Sequence, residues 1–253
     1  MLFTQIRNAT VKLNYDHVCF MIDPWLQDVC TEEEREAVAV NRKFISKPVA
    51  ALPMPVKEIL QGVDVCIITH DHPDHFTPDY LPNDFPLVCQ NQKDAEKAES
   101  LGFVNVRWFE NDVMQFGDVT VKRVGGKHGD SELLAEKAGP VSGFVFSCEN
   151  EKKVYLAGDT VFCDVVQKVI REEKPDVVIV NSCDARTSSG RLIMNAEDVI
   201  STCRCLKNGI VIASHMDAVS HAHLTRKQLK ACLEEAGYAQ QVLIPEDGET
   251  IRI

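Results

Sequence analysis

Residues 68–77 read Ile-Thr-His-Asp-His-Pro-Asp-His-Phe-Thr, with three histidines and two aspartates inside the six positions from His70 to His75. A core buries so many polar groups only at high cost unless they are paired or bound to a metal. His70 and His72 are two apart on a chain still extended from the apolar run Val63–Thr69, so their side chains share a face. Pro73 fits the first turn of a helix, where its missing N–H costs nothing, and Asp74 and His75 in that turn would face a second point nearby. One short segment can thus serve two cations. Each needs roughly four ligands with a position left for water, so further donors must arrive from distant parts of the chain.

Those donors have a common address. Apolar runs end in Asp23 (FMI), His70 (VCIIT), His128 (VKRVGGK), Asp159 (VYLAG) and His215 (IVIAS). In layered α/β proteins ligand sites gather at the carboxyl ends of strands, so strands that end this way would deliver their side chains to one rim.

The 253 residues carry 45% apolar and 26% charged side chains, which is ordinary for a globular protein. The pattern gives strands over "LFTQI", "TVKLNY" and "HVCFMID", then a polar, partly helical excursion over 31–62. Strands and helices alternate from Val63, with a hairpin turning at "ENEK" and helices over "VFCDVVQKVIREEKP", "NAEDVISTCRCLKNG" and "LTRKQLKACLEEAG". Asn195 is the expected N-cap of the second of these helices and Gly209 its stop. With no composition break or repeat, residues 1–253 read as one domain of two β-sheets packed together with helices outside. The 31–62 excursion is either a surface insertion, a lid over the site, or the contact in a homo-oligomer.

The net charge of −11 disfavours long nucleic acid and anionic membrane surfaces, while a metal site could still attract a small anionic substrate. No apolar run reaches membrane-spanning length, and the N-terminus lacks the pattern of a signal peptide. The expected compartment is the cytoplasm. Ten scattered cysteines without a Cys-x-x-Cys pair read as reduced core residues rather than disulfides or a thiolate metal site.

"THDHPDH" resembles the His-x-His-x-Asp-His signature of the metallo-β-lactamase superfamily, and the other candidates follow in the order that family uses. The resemblance runs from "RNATVKLNYDHVCFMIDPW" to "LIPEDGETI", and "DPW", "GGKHG" and "AGDT" are similar to the branch with L-ascorbate-6-phosphate lactonase and the phospholipase D that cleaves N-acyl-phosphatidylethanolamines. It implies the α/β fold of that superfamily, an αββα sandwich of two mixed sheets with helices on the outer faces. A first metal would be held by His70, His72 and His128, a second by Asp74, His75 and His215, with Asp159 bridging. Many members of the branch have histidine where this chain has Asn8.

The expected chemistry is hydrolysis by a dinuclear centre, zinc first and manganese or iron next. A bridging hydroxide would attack an ester, lactone or phosphoester of a small substrate, oriented by Asp74. His221, or else His223, would give the leaving group its proton. Asp71 either orients a ligand imidazole or is an exposed turn carboxylate, and Asp23 is a supporting or turn residue rather than a ligand. Lys127 and Arg186 read as solvated charges before they read as attractors of an anionic group, Asp184 and Arg186 are candidates to line the pocket, and nothing connects His17 with the site. Competing readings are a phosphodiesterase of small molecules or nucleotides, a single-iron oxygenase of the same superfamily, and a metal-dependent binding or sensor protein without turnover.

Overall fold

The computed structural model describes residues 1–41 and 45–253. The chain opens with β1 (Leu2–Arg7), β2 (Thr10–Tyr15) and β3 (Val18–Ile22), antiparallel neighbours joined by tight turns. Two helices follow, α1 (Glu32–Asn41) and α2 (Val56–Leu60). Next come β4 (Val65–Ile68), β5 (Leu87–Cys89), α3 (Gln92–Ser100) and β6 (Val106–Trp108), the three strands adding in parallel beside β3.

The second half starts with β7 (Val113–Phe116) and β8 (Val119–Gly125), then α4 (Glu132–Ala138), β9 (Ser142–Ser147) and β10 (Val154–Leu156). It continues through α5 (Asp164–Glu173), β11 (Val177–Asn181) and a short ribbon of β12 (Arg186–Thr187) and β13 (Gly190–Arg191). The remaining elements are α6 (Ala196–Leu206), β14 (Ile210–Ser214), α7 (Arg226–Ala236), β15 (Val242–Leu243) and β16 (Thr250–Arg252).

Two seven-stranded mixed sheets result, ordered β16-β1-β2-β3-β4-β5-β6 and β15-β14-β11-β10-β9-β8-β7. Alternation along the strands builds the layers. In the second sheet Phe144, Phe146, Val154, Leu156, Val177, Ile179 and Ile212 face the first sheet and meet Phe3, Leu13, Phe20, Ile22 and Ile67. The intervening Val145, Tyr155, Val178, Val180, Val211 and Ala213 turn outward beneath α5, α6 and α7. In the first sheet Met21, Cys66, Ile68, Leu87 and Cys89 face α2 and α3 in the same manner. The expected two-sheet sandwich with outer helices is what the chain forms. All ten cysteines are unpaired thiols, and no helix of the described residues is long and apolar enough to cross a membrane.

Local signals explain most boundaries. Asn195 caps α6 by accepting from Asp198 N, and Thr225 with Gln228 forms a capping box on α7. The stop of α6 differs from expectation: Lys207, at φ 62 and ψ −84, turns the chain, with Asn208 N donating to Leu206 O at 2.9 Å, and Gly209 instead packs against the Asp176 carbonyl, where a Cβ would lie 2.7 Å away. The helix expected to begin at Pro73 is a single turn closed by Phe76 N donating to His72 O. Pro78 has no N–H to continue it, and Thr77 before it is extended.

Within the 31–62 excursion, residues 42–44 lie outside the described part of the chain. Its remainder is tied to the second half: Val49 N donates to Ala218 O at 2.8 Å, and Ile45 N donates to Ser220 Oγ at 3.2 Å.

Candidate metal centre

The carboxyl ends of β3, β4, β8, β10 and β14 meet at one edge, and the loops leaving them carry Asp23, the 70–75 cluster, His128, Asp159 and His215. Three overlapping groups form there: His70, His72 and His128; His70, His75 and Asp159; and Asp74, His75 and His215. Within each group the ligand atoms lie within 4.8 Å of one another. His70, His75, His128, Asp159 and His215 are buried, and His72 and Asp74 are partly so. The loops bend sharply, with Asp23 at φ 48 and His215 at φ 61. Gly158, at φ 67, lets the Asp159 loop pass the Ser142 carbonyl, which a Cβ would approach to 2.6 Å.

The outward ring nitrogens show what the inward ones offer. His72 Nε2 lies 3.1 Å from Ala138 O and His128 Nδ1 3.1 Å from Leu192 O; carbonyls only accept, so both nitrogens donate. His75 Nδ1 donates to Asp23 Oδ2 at 2.7 Å. Thr69 Oγ1 gives its one proton to the same Asp23 oxygen and so accepts from His70 Nδ1 at 3.0 Å. In the neutral rings, the nitrogens turned inward are therefore bare lone pairs. They are crowded: His70 Nε2 is 2.9 Å from His72 Nδ1, and His128 Nε2 is 3.3 Å from that same atom. Two lone pairs so close need something positive between them. Nitrogens each about 2.0–2.1 Å from a tetrahedral zinc would stand roughly 3.3 Å apart, a spacing of the same size.

The second group is anchored differently. His215 Nε2 is 3.3 Å from both His75 Nε2 and Asp74 Oδ2, and its Nδ1 faces the Cys183 thiol at 3.5 Å. Asp159 lies between the groups, with Oδ2 3.3 Å from His75 Nε2, 3.7 Å from His128 Nε2 and 3.9 Å from His70 Nε2. Its Oδ1 accepts from Asn181 Nδ2 at 2.7 Å.

Electrostatics point the same way. Burial works against the charged form of His75, but Asp159, Asp23 and Asp74 overcome it and raise its pKa to about 10. His215 is likewise held up against burial, chiefly by Asp159. Burial would raise the Asp159 carboxyl, yet His75 and His215 hold it well below the usual carboxylate range. His70 is lowered, by burial first and then by His75. Asp23, Asp74 and Asp159 thus concentrate negative charge at a buried spot that calls for cations, and histidine with carboxylate suits divalent zinc, manganese or iron.

The other sequence candidates divide. Asp23 touches no inward nitrogen but anchors His75 directly and His70 through Thr69. Of the two readings of Asp71, the exposed carboxylate is the one observed: it points away from the imidazoles and pairs with exposed Lys97 at 2.5 Å, because in an extended segment it lies opposite His70 and His72. Lys127 is paired with Glu132, and Arg186 makes a two-pronged contact with Asp184 at 2.8 and 3.0 Å. Those charges are already matched within the protein. His223 is exposed, and His17 pairs with Asp16.

His221 lines a cavity of about 20 Å³ with Trp25, Ile45, Ser46, Pro73, Asp74 and Val219. Burial lowers its pKa. Larger grooves of about 700 and 940 Å³ run beside α2 and hold none of the clustered residues.

Three contributors escape the sequence reading: Asn181, Cys183 and Arg7. Fully buried Arg7 donates to the carbonyls of Trp25, Gln27 and Ala50 and stacks over the Trp25 ring, holding the "DPW" loop against the excursion. An arginine ending an amphipathic strand carries no local sign of such a task.

Residues 20–216 match the family model for the beta-lactamase superfamily domain, a span that includes every clustered donor. UPF0173 protein YddR of Bacillus subtilis (strain 168) is 36% identical over 254 residues, covering 99% of each chain. The crystal structure of isothiocyanate hydrolase from Delia radicum gut bacteria is 34% identical with a TM-score of 0.88, covering 100% of this chain and 99% of that one. The structure of a possible metal-dependent hydrolase from Veillonella parvula DSM 2008 is 31% identical with a TM-score of 0.90, with the same coverage. The chain belongs to the metallo-β-lactamase superfamily and, within it, to the UPF0173 family of metal-dependent hydrolases.

Proposed function

We propose that this protein is a dinuclear metal-dependent hydrolase of small electrophilic molecules, and that isothiocyanates are its first substrate class. The observation that carries the metal reading is the convergence of imidazole nitrogens on two neighbouring points with the Asp159 carboxylate between them. His70, His72 and His128 would hold one cation, Asp74, His75 and His215 the other, and Asp159 would touch both. Divalent cations in such a site supply Lewis acidity and hydroxide near neutral pH.

The chain's own residues supply the rest. Asp74 stays ionised, because His75 and His215 outweigh the effect of burial, and so can accept a hydrogen bond that aims the nucleophilic oxygen. His221, neutral because burial lowers its pKa, would relay a proton to the leaving group from the cavity it shares with Asp74. Trp25, Ile45, Pro73 and Val219 make that water-sized cavity mostly apolar, and Ile45 brings the 31–62 excursion into its wall.

The isothiocyanate assignment draws on the full-length relative that bears that activity in its name. It also agrees with the pairing of Lys127 and Arg186 to carboxylates, which leaves neither ready for an anionic group. Water oxygen would bond to the central carbon of R–N=C=S, the C–N bond would break with both protons going to nitrogen, and the products would be R–NH2 and carbonyl sulfide. Esters, lactones and phosphodiesters are the alternative panel.

Zinc- or manganese-loaded protein should consume benzyl isothiocyanate and release benzylamine in equal amount, while Asp159→Ala should lose both bound metal and turnover. Hydrolysis confined to esters, lactones or phosphodiesters would replace the substrate class. Full activity of Asp159→Ala with unchanged metal content would end the dinuclear reading.

A further inference from the structure

Asn8 sits in the turn between β1 and β2, fully buried, with φ 55 in the left-handed region that asparagine tolerates better than most residues. Its carbonyl accepts from Gln5 Nε2 at 2.8 Å and from His215 N at 3.0 Å, so the backbone is pinned to β14 across the sandwich. The side chain is equally placed. Nδ2 donates to the Asp74 carbonyl at 3.1 Å and lies 3.1 Å from His215 Nε2 and 3.4 Å from Asp74 Oδ2. Oδ1 is buried and finds no donor among the described residues. The Asp74 carbonyl can only accept, so the amide nitrogen belongs on that side.

An amide has two N–H groups. One is committed to Asp74 O. The other points at His215 Nε2 and the edge of the Asp74 carboxylate, the atoms that the second cation group presents. A nitrogen lone pair cannot serve a cation and an N–H at once, so loading the site takes that acceptor away. The second N–H is then a rigid, desolvated donor beside the reaction centre whose remaining acceptor is the Asp74 carboxylate oxygen, at a long 3.4 Å.

We infer that Asn8 Nδ2 donates a hydrogen bond to the substrate atom on which negative charge develops, the sulfur of an isothiocyanate or the oxygen of a carbonyl or phosphoryl group. The role rests on the hydrolase reading above and adds to it a charge-stabilising donor. Such a donor is most effective when it is fixed before reaction and kept from water, and both conditions hold for Asn8.

The test uses zinc-loaded protein with the thiocyanate ion as a non-hydrolysed linear probe. Asn8→Gly removes the amide and keeps the left-handed backbone free of strain; Asn8→Asp keeps the shape and removes the donor. Both variants should retain the wild-type zinc content. Both should bind thiocyanate about tenfold or more weakly by calorimetry, the size expected for one lost hydrogen bond to an anion. On any substrate the wild type turns over, kcat should fall by about 10²–10³. Unchanged thiocyanate affinity in the variants, or no thiocyanate binding by the wild type, overturns the inference. Loss of one zinc per chain also overturns it, since Asn8 would then be acting through the cation. If thiocyanate binding weakens as stated but no isothiocyanate is hydrolysed, the substrate class falls and the role of Asn8 stands.

Discussion

Asp23 shows how much a site owes to a side chain that never faces its interior. Its carboxylate receives His75 Nδ1, Thr69 Oγ1 and Thr69 N, each at 2.7 Å. Removing such a support behind metal-ligand histidines typically lowers metal affinity about 10–100-fold. Asp23→Ala should show that loss in competition with a chromogenic chelator. Metal uptake should also depend on pH. Without cations His75 is held up at about 10 against an ordinary 6.5. The stability that its protonated form contributes is therefore complete below about 6.5 and lost as pH rises toward 10. The same proton must leave before a cation binds, so manganese affinity should rise from pH 6.5 to 9. A flat profile would contradict that raised pKa. At this scale the sequence was informative where a metal-seeking side chain followed directly on an apolar run, as at His70, Asp159 and His215. It left Asp71 open between an imidazole partner and an exposed turn carboxylate, a choice settled by strand alternation and by Lys97, 26 positions away. Asn181 and Cys183 were unreadable because nothing before folding distinguishes a strand-end amide or thiol that meets Asp159 or His215.

Among the elements, legibility followed length and punctuation. Helices α5, α6 and α7 each carry three turns of amphipathic pattern with a boundary signal, and the sequence places all of them. Strands β5 and β6 have three residues each, too few for any period to appear, and they take their places by pairing in parallel beside β4. Helix α7 tests the local contribution. Thr225 accepts from Gln228 N and Gln228 reaches back to the Thr225 backbone, so Thr225→Ala should cost about 1 kcal/mol in urea unfolding with metal content unchanged. Gly158 tests the opposite case, a conformation imposed by the site. Gly158→Ala places a Cβ 2.6 Å from Ser142 O at a positive φ, and strain of about 1–3 kcal/mol should lower both stability and metal retention.

For the molecule as a whole, the two sheets bury one shared layer of aromatic and branched side chains, and the metal-seeking edge closes one end of that layer. Phe146 packs against Tyr15 and Phe20 across the sheets at ring-centroid distances of 6.1 and 5.2 Å. Phe146→Ala should cost about 3–5 kcal/mol and broaden the thermal transition. Cations that bind only the folded chain raise its stability by about 2.7 kcal/mol at a free concentration one hundred times Kd. Chelation should therefore lower Tm, and added zinc or manganese should restore it; a Tm indifferent to both would count against any structural metal.

Because one carboxylate steadies His70 on one side and His75 on the other, the two halves of the centre are mechanically coupled. In the proposed two-cation centre, ordering one imidazole as a first ion arrives would fix Asp23 and Thr69, and with them the neighbouring imidazole, so part of the entropy of assembling the second half would already be lost. Stepwise occupancy should accordingly depart from a sum of independent isotherms. Asp23→Ser should return the filling curve toward two unlinked steps.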